Sequence, residues 1–230
     1  MTECLGDEPA ALERCLADFG VDRISLLVVT HDDRDHAGAI ASVLARVDAA
    51  VIAPTVAGEP LERRAVVRAL SEAEVPYQIG SAGTRGTTRA SGGDGVEWLI
   101  LAPPQEAKPT DTNAASLVLA LSIDGHRALM LADTGYEEQS ALSRSLATSA
   151  DTGSPLTGVE VVKVAHHGSR DQDPMLYERI GAPWGLVSVG AENRYGHPNR
   201  ETLSMLARAG TLAQHAPGLS LGLRPAVRGL

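Results

Sequence analysis

The residues most able to do chemistry in this chain are packed into His31-Asp32-Asp33-Arg34-Asp35-His36, where two imidazoles and three carboxylates fall within six positions. Imidazole nitrogen and carboxylate oxygen are the usual donors to Zn²⁺ and Mn²⁺. Asp33 and Asp35 alternate with His31, so all three can converge from one irregular turn, and His36 closes the set. The plainer explanation is a solvated loop in which Asp35 caps a helix. Histidine and aspartate alternating at this density is a ligand spacing far more often than a capping motif.

Two later clusters add to the inventory. Arg127 to Leu131 is an apolar run that stops at Ala132-Asp133-Thr134-Gly135, and Val159 to Ala165 stops at His166-His167-Gly168-Ser169. Alone, Asp133 reads equally well as a turn residue and the His pair as structural. Together the three clusters supply the nitrogen and oxygen donors of a two-metal hydrolytic site.

Such a site needs elements that bring separate strand ends together. The first cluster leaves the apolar run Ile24 to Val29 and enters a helical pattern of Ala37, Ile40, Val43, Leu44 and Val47. That arrangement sets it at the carboxyl edge of a sheet, where open α/β folds hold ligands. Helices are expected over Pro9 to Phe19, Leu61 to Ala73, Tyr136 to Leu146, Pro174 to Ile180 and Arg200 to Ala209. Strands are expected at Ala50 to Ala53, Tyr77 to Gly80, Val96 to Ala102, Ser116 to Ile123, His126 to Ala132, Trp184 to Val189 and Leu219 to Leu223, with Asp124-Gly125 as a hairpin turn. Ser81 to Gly95 reads as a mobile loop or hairpin crossing. Strand and helix alternate at both ends with a hairpin between, which fits two mixed sheets covered by outer helices.

The first cluster, Leu131-Ala132-Asp133 and Lys163 to Ser169 together resemble the metallo-β-lactamase fold. Asp33 in place of a more usual second His, Asn113 to Leu119, and Ser188 to Pro198 resemble the carboxy-terminal domain of ComEC-type DNA-uptake proteins. The resemblance runs from Ile24 to about Leu206 and implies an α/β chain folded as an αββα sandwich lacking the family's first strands. An unpaired sheet edge near Ile24 would then favour self-association. By the same resemblance, two divalent ions, Zn²⁺ or Mn²⁺, are implied. His31, Asp33 and one later ligand hold one of them; Asp35, His36 and one of His166 and His167 hold the other; Asp133 bridges. Two adjacent residues on an extended segment point oppositely, so one of the pair is a ligand, with His167 preferred and His166 nearer the substrate. Asn113 stands where the family's third-cluster His is expected, which makes the site richer in oxygen and tilts it toward Mn²⁺. Asp35 would orient the attacking hydroxide, and His197 would contact the phosphate or protonate the leaving oxygen. The other reading of His197 is a turn histidine before proline. Ala132 departs from a family preference for Gly, and Gln214 to Pro217 replaces a Thr-Asp pair.

The 230 residues suffice for one substantial core, and no linker divides residues 1–230, so one domain is expected. A net charge of −9 and an aromatic content of 3% argue against extensive nucleic-acid contact through phosphates or stacked bases. The two cysteines, Cys4 and Cys15, are too few for a disulfide framework and are expected as buried or free thiols. No transmembrane run is present, and the chain reads as soluble. The leading expectation is a metal-dependent phosphodiesterase or nuclease acting on single-stranded DNA in competence-type uptake. A hydrolase of small phosphodiesters or esters is second, and a degenerate domain without turnover is third.

Overall fold

A computed structural model describes residues 9–89, 95–147, 154–190 and 193–217. The chain runs α1 (Pro9–Asp18), β1 (Leu27–Val29), α2 (Arg34–Ala37), β2 (Ala50–Ile52), α3 (Ala65–Glu72), β3 (Tyr77–Ile79), β4 (Arg85–Arg89), β5 (Gly95–Ala102), β6 (Val118–Ile123) and β7 (His126–Met130). It continues α4 (Tyr136–Ala147), β8 (Val161–Lys163), α5 (Pro174–Ile180), β9 (Trp184–Val189), α6 (Arg200–Arg208) and β10 (Leu212–Pro217). A three-stranded parallel sheet, β1-β2-β3, faces a seven-stranded sheet ordered β10-β9-β8-β7-β6-β5-β4. Antiparallel pairing holds from β4 to β7 and parallel pairing from β7 to β10.

The period of two in each strand sorts side chains into layers. Val51, Ala53, Leu26 and Val28 of the small sheet meet Trp98, Ile100, Leu117, Leu119 and Leu121 of the large one. On the small sheet's other face Val29 and Ile52 pack in one core with Val66 and Leu70 of α3 and with Ile40 and Leu44 of the turns after α2. On the large sheet's other face Leu129, Val162 and Val187 pack under α4 to α6 through Leu142, Leu176 and Leu206. The αββα sandwich follows from these three apolar layers. β1 has only β2 as a strand partner, and among the described residues no strand precedes it. None of the described helices is long and apolar enough to cross a membrane.

Several elements depart from expectation. The helix expected from Ala37 to Val47 stops after α2 and continues as two separate 3₁₀ turns, Ile40–Ser42 and Leu44–Arg46. Gly38 ends the helix, and glycine is a poor helix continuer. The helix expected from Leu61 to Ala73 breaks at Arg64, which takes an extended conformation. Its guanidinium is drawn inward, 3% exposed, onto Asp32 through both Nε (2.6 Å) and Nη2 (2.5 Å) and onto Ala53 O through Nη1 (2.6 Å). Arg85–Arg89 forms the hairpin strand β4 with β5. The segment Gln214 to Pro217 belongs to β10, parallel to β9, while Leu219 to Leu223 lies outside the described residues. Cys15, expected as a thiol, is disulfide-bonded; the chain's other cysteine, Cys4, lies outside the described residues.

Candidate metal centre

Three strands of the two sheets, β1, β7 and β8, end at one edge, and each delivers a piece of the site. Beyond β1 the chain turns through Thr30 to Asp33 into α2, where Asp33 sits at the N-cap without a side-chain hydrogen bond to the helix, leaving its carboxylate free. Beyond β7, Ala132 takes a left-handed conformation (φ 50°) and turns Asp133 inward, 4% exposed. Beyond β8, His166 (φ 45°), His167 (φ 53°) and Gly168 (φ 77°) form three successive left-handed residues. The extended segment expected for the His pair is therefore replaced by a tight turn. Left-handed backbone costs a side-chain-bearing residue about 1–2 kcal/mol, so other bonds must hold the turn in place. They are His166 N to Ala132 O (2.9 Å), Asn199 N to Gly168 O (2.8 Å) and Thr202 Oγ1 to Ser169 O (2.6 Å). Beneath them Gln172 Nε2 donates to Ala165 O and Ser169 O, both at 3.1 Å, while Tyr177 donates to Gln172 Oε1 (2.7 Å) and accepts from Ala165 N (3.1 Å). Gly168 is also needed for space, since a Cβ there would meet Pro198 at 2.8 Å.

Asp133 is the centre of the cluster. Its Oδ1 lies 3.2 Å from His36 Nε2, and its Oδ2 lies 3.4 Å from His167 Nε2, 3.9 Å from His166 Nε2 and 4.0 Å from His31 Nε2. Asp35 Oδ2 approaches His167 Nε2 (3.1 Å) and His36 Nε2 (3.7 Å), and Asp33 Oδ2 approaches His31 Nε2 (3.8 Å). One potential ligand atom from each of Asp35, His36, Asp133 and His167 lies within 4.8 Å of the others. His197 stands at the rim, with its ring centroid 6.1 Å from that of His166.

The hydrogen bonds fix which nitrogens face inward. His167 Nδ1 lies 2.7 Å from the carbonyl oxygen of Ser188, which can only accept, so Nδ1 carries the proton. The Nε2 lone pair then faces two carboxylate oxygens and, at 3.3 Å, His36 Nε2. Lone pairs opposed in this way are relieved only by a proton or a cation. His31 Nδ1 contacts Thr30 Oγ1 (3.2 Å) and Ser116 Oγ (3.4 Å), while its buried Nε2 makes no hydrogen bond, and neither does the buried Asp133 Oδ1. Inward nitrogens and orphaned buried oxygens are the donor set of a divalent-cation site with nitrogen and oxygen ligands, so the residues present fit such ions.

The electrostatics agree with that arrangement. Burial, with His36 adding to it, pushes the His31 imidazole down to about 4, against the pull of Asp133, Asp33 and Asp35. Burial would raise the Asp133 carboxyl, but its contacts with His167 and His36 hold it well below the ordinary carboxylate range. His167 is raised by its bond to Asp133, against burial. Burial lowers Lys163, whose ammonium bonds Val164 O at 3.1 Å, and Asp133 and Asp35 oppose that shift. His197 is lowered by burial and by the neighbouring His166 and His167.

All eight residues singled out from the sequence, His31, Asp33, Asp35, His36, Asp133, His166, His167 and His197, come to this edge. Asn113 lies in the turn before β6 with a buried Oδ1 that has no hydrogen-bond partner. Sequence reasoning gave no role to Thr30, Ser116 or the Ser188 carbonyl, nor to the Asp32–Arg64 pair under the first loop. Hydroxyls and backbone carbonyls carry no signal in sequence, and a long-range Arg–Asp pair has no fixed spacing.

Residues 5–174 match the β-lactamase superfamily domain. The chain belongs to the metallo-β-lactamase superfamily. It is 24% identical over 192 residues to ComE operon protein 3 of Bacillus subtilis (strain 168), a match covering 82% of this chain and 23% of that protein. The chain thus spans about a quarter of that relative's length. Among solved structures it is similar to CmlA, a diiron β-hydroxylase from Streptomyces venezuelae (TM-score 0.57, 12% identity, 87% of this chain and 45% of that one). It is also similar to Tm1679, a metal-dependent hydrolase of the β-lactamase superfamily (TM-score 0.50, 12% identity, 94% and 86%). These likenesses establish the fold.

Proposed function

We propose that this superfamily member is a metal-dependent phosphodiesterase whose substrate is single-stranded DNA. The observation that carries the reading is Asp133, buried and within 4.0 Å of the Nε2 atoms of four histidines from two strand ends. His31, Asp33 and Asp133 would hold one ion, and Asp35, His36, His167 and Asp133 the other. Divalent ions bound there supply Lewis acidity toward a phosphoryl group and acidify water to near neutrality. Asp35, with 59% of its side chain exposed against 42% for Asp33, is the carboxylate of the cluster most open to solvent and orients the attacking water. His197, lowered and therefore neutral near pH 7, donates a neutral N–H to the phosphate, and His166 lies between it and Asp133. The resemblance to ComEC-type proteins and the match to ComE operon protein 3 support a DNA strand as the substrate.

A second reading, hydrolysis of small phosphodiesters, is favoured by the net charge of −9, which opposes polyanion binding. The test is cleavage, with Mn²⁺ or Zn²⁺ at low ionic strength, of an unstructured oligodeoxynucleotide alongside a simple phosphodiester. Attack on both, abolished in Asp35→Ala, is expected. Attack on the small ester alone selects the second reading. A metal-loaded protein that cleaves neither refutes both.

A further inference from the structure

His197 connects the metal cluster to an aromatic ring that none of the chemistry above uses. The Tyr195 ring lies nearly parallel to the His197 imidazole, with an interplanar angle of 17° and centroids 6.0 Å apart, and the residue is 87% exposed. No other large hydrophobic or aromatic side chain in the described residues is so exposed. The loop that carries it is not slack. Asn193 Oδ1 accepts from Tyr195 N (3.0 Å), Asn193 Nδ2 donates to His197 O, and Gly196 turns the chain at φ 72°. A ring held by its backbone yet left in water gains nothing from burial, so its cost is explained by something that covers it.

The surrounding charge says what kind of molecule that is. Arg170 follows the His-His turn, Arg194 precedes Tyr195, and Arg200 opens α6, whose preceding residue Asn199 bonds Gly168 O at 2.8 Å. All three arginines are exposed, and among the described residues none has a carboxylate partner. In a chain of net charge −9, three unpaired guanidinium groups fall on the segments that carry His166, His167 and His197. An exposed aromatic face, with unpaired cations on the same segments that bring the histidines to the site, is the pattern that tracks a single nucleic-acid strand, bases on the ring and phosphates on the arginines.

We infer that Tyr195 is a stacking platform for the nucleobase next to the scissile phosphate, with Arg170, Arg194 and Arg200 as the flanking phosphate contacts. This rests on the phosphodiesterase reading above and narrows it: the substrate must carry bases, so a bare phosphodiester is handled poorly.

The test separates binding from cleavage. With metal removed by a chelator so that nothing is cut, fluorescence anisotropy at low salt compares a labelled oligothymidylate with a strand of equal length made of abasic units. The wild-type protein should bind the base-bearing strand about tenfold more tightly. Tyr195→Ala should abolish that ratio and Tyr195→Phe should keep it, while Arg194→Gln should weaken both strands alike and reduce the salt slope by about one. With metal restored, Tyr195→Ala should raise KM for DNA rather than lower kcat. Equal binding of the two strands by the wild type, no binding of either, or an unchanged ratio in Tyr195→Ala overturns the inference. If the wild type nonetheless cleaves phosphodiesters, the reading of the metal centre stands without it. If the ratio is found but no phosphodiester is cleaved, the reading of the centre fails and this inference, which rests on it, falls too.

Discussion

Acidifying the metal-free protein should expose the cost of burying His31. The residue is 1% exposed and its imidazole is held at about 4, against 6.5 in an unfolded chain. Between those values the unfolded chain binds the proton and the folded one does not. Stability is therefore fully present above pH 6.5, falls as the pH drops toward about 4, and levels off below. At about 1.4 kcal/mol per unit, the displacement from 6.5 to about 4 amounts to about 3 kcal/mol. The Asp133 carboxyl, depressed in the fold, loses its contribution only below its ordinary value of 3.8 and so leaves this window alone. His167 has the opposite sign: its raised pKa contributes below 6.5 and is lost as the pH rises through the folded value. Comparing the wild type with His31→Gln isolates the His31 part. Urea denaturation in chelator across this range should show the wild type losing about 3 kcal/mol more than His31→Gln. Parallel losses in the two proteins would refute the claim that His31 is kept neutral by burial. Saturating Mn²⁺ or Zn²⁺ should raise the wild-type midpoint at neutral pH, because a cation binds the folded site alone.

Asp133→Ala should lower metal occupancy at both positions together, measured by elemental analysis after dialysis, because one carboxylate serves both; full occupancy at either would exclude bridging. Ala132→Gly should stabilise by about 0.5–1 kcal/mol, since it removes about 1–2 kcal/mol of left-handed strain at φ 50° against the entropy of a glycine. A loss of stability in that variant would show the strain absent. Gln172→Ala, which takes the acceptor from the Tyr177 hydroxyl and a donor from Ala165 O and from Ser169 O (the latter keeping Thr202 Oγ1), should cost about 1–3 kcal/mol in a denaturation midpoint and weaken metal affinity about 10–100-fold by calorimetry. Unchanged affinity would mean that the His166-His167 turn does not depend on the network.

The architecture was legible where local pattern and tertiary need coincide. The Asp124-Gly125 turn takes positive φ at both positions (51° and 84°), as a two-residue hairpin requires, so β6 and β7 could be paired from sequence. Likewise α5 opens on Pro174, with the Asp173 side chain accepting from Met175 N, and ends on left-handed Gly181, all of them local signals. The pattern failed where a distant partner outbid local preference. Arg64 stands in a run with good helical periodicity, yet two bonds to Asp32 and one to Ala53 O draw it out of the helix. Neither partner is near it in sequence, and helix propensity, a few tenths of a kcal/mol per residue, cannot compete with a buried bidentate ion pair.

The site shows the same division more sharply. Which residues converge could be read from their types at strand ends; how they face one another could not. The expectation that His166 and His167 point to opposite sides assumed extended backbone, and the turn is instead left-handed at both. That conformation is affordable only because Gln172, Tyr177, Thr202 and Asn199, from α5, α6 and the residues just before them, satisfy the carbonyls and amides it leaves unpaired. Gln139 of α4 joins them, donating to Thr134 O (2.8 Å) beside Asp133 and to Gln172 Oε1 (3.1 Å), and accepting from Asp173 N (2.9 Å). One buried polar network thus holds both the Asp133 turn and the His-His turn. The separation of Asp133 Oδ2 from His167 Nε2, 3.4 Å, is set by side chains that touch neither. Ligand types are local in sequence, but the spacing between them belongs to the helices behind the sheet.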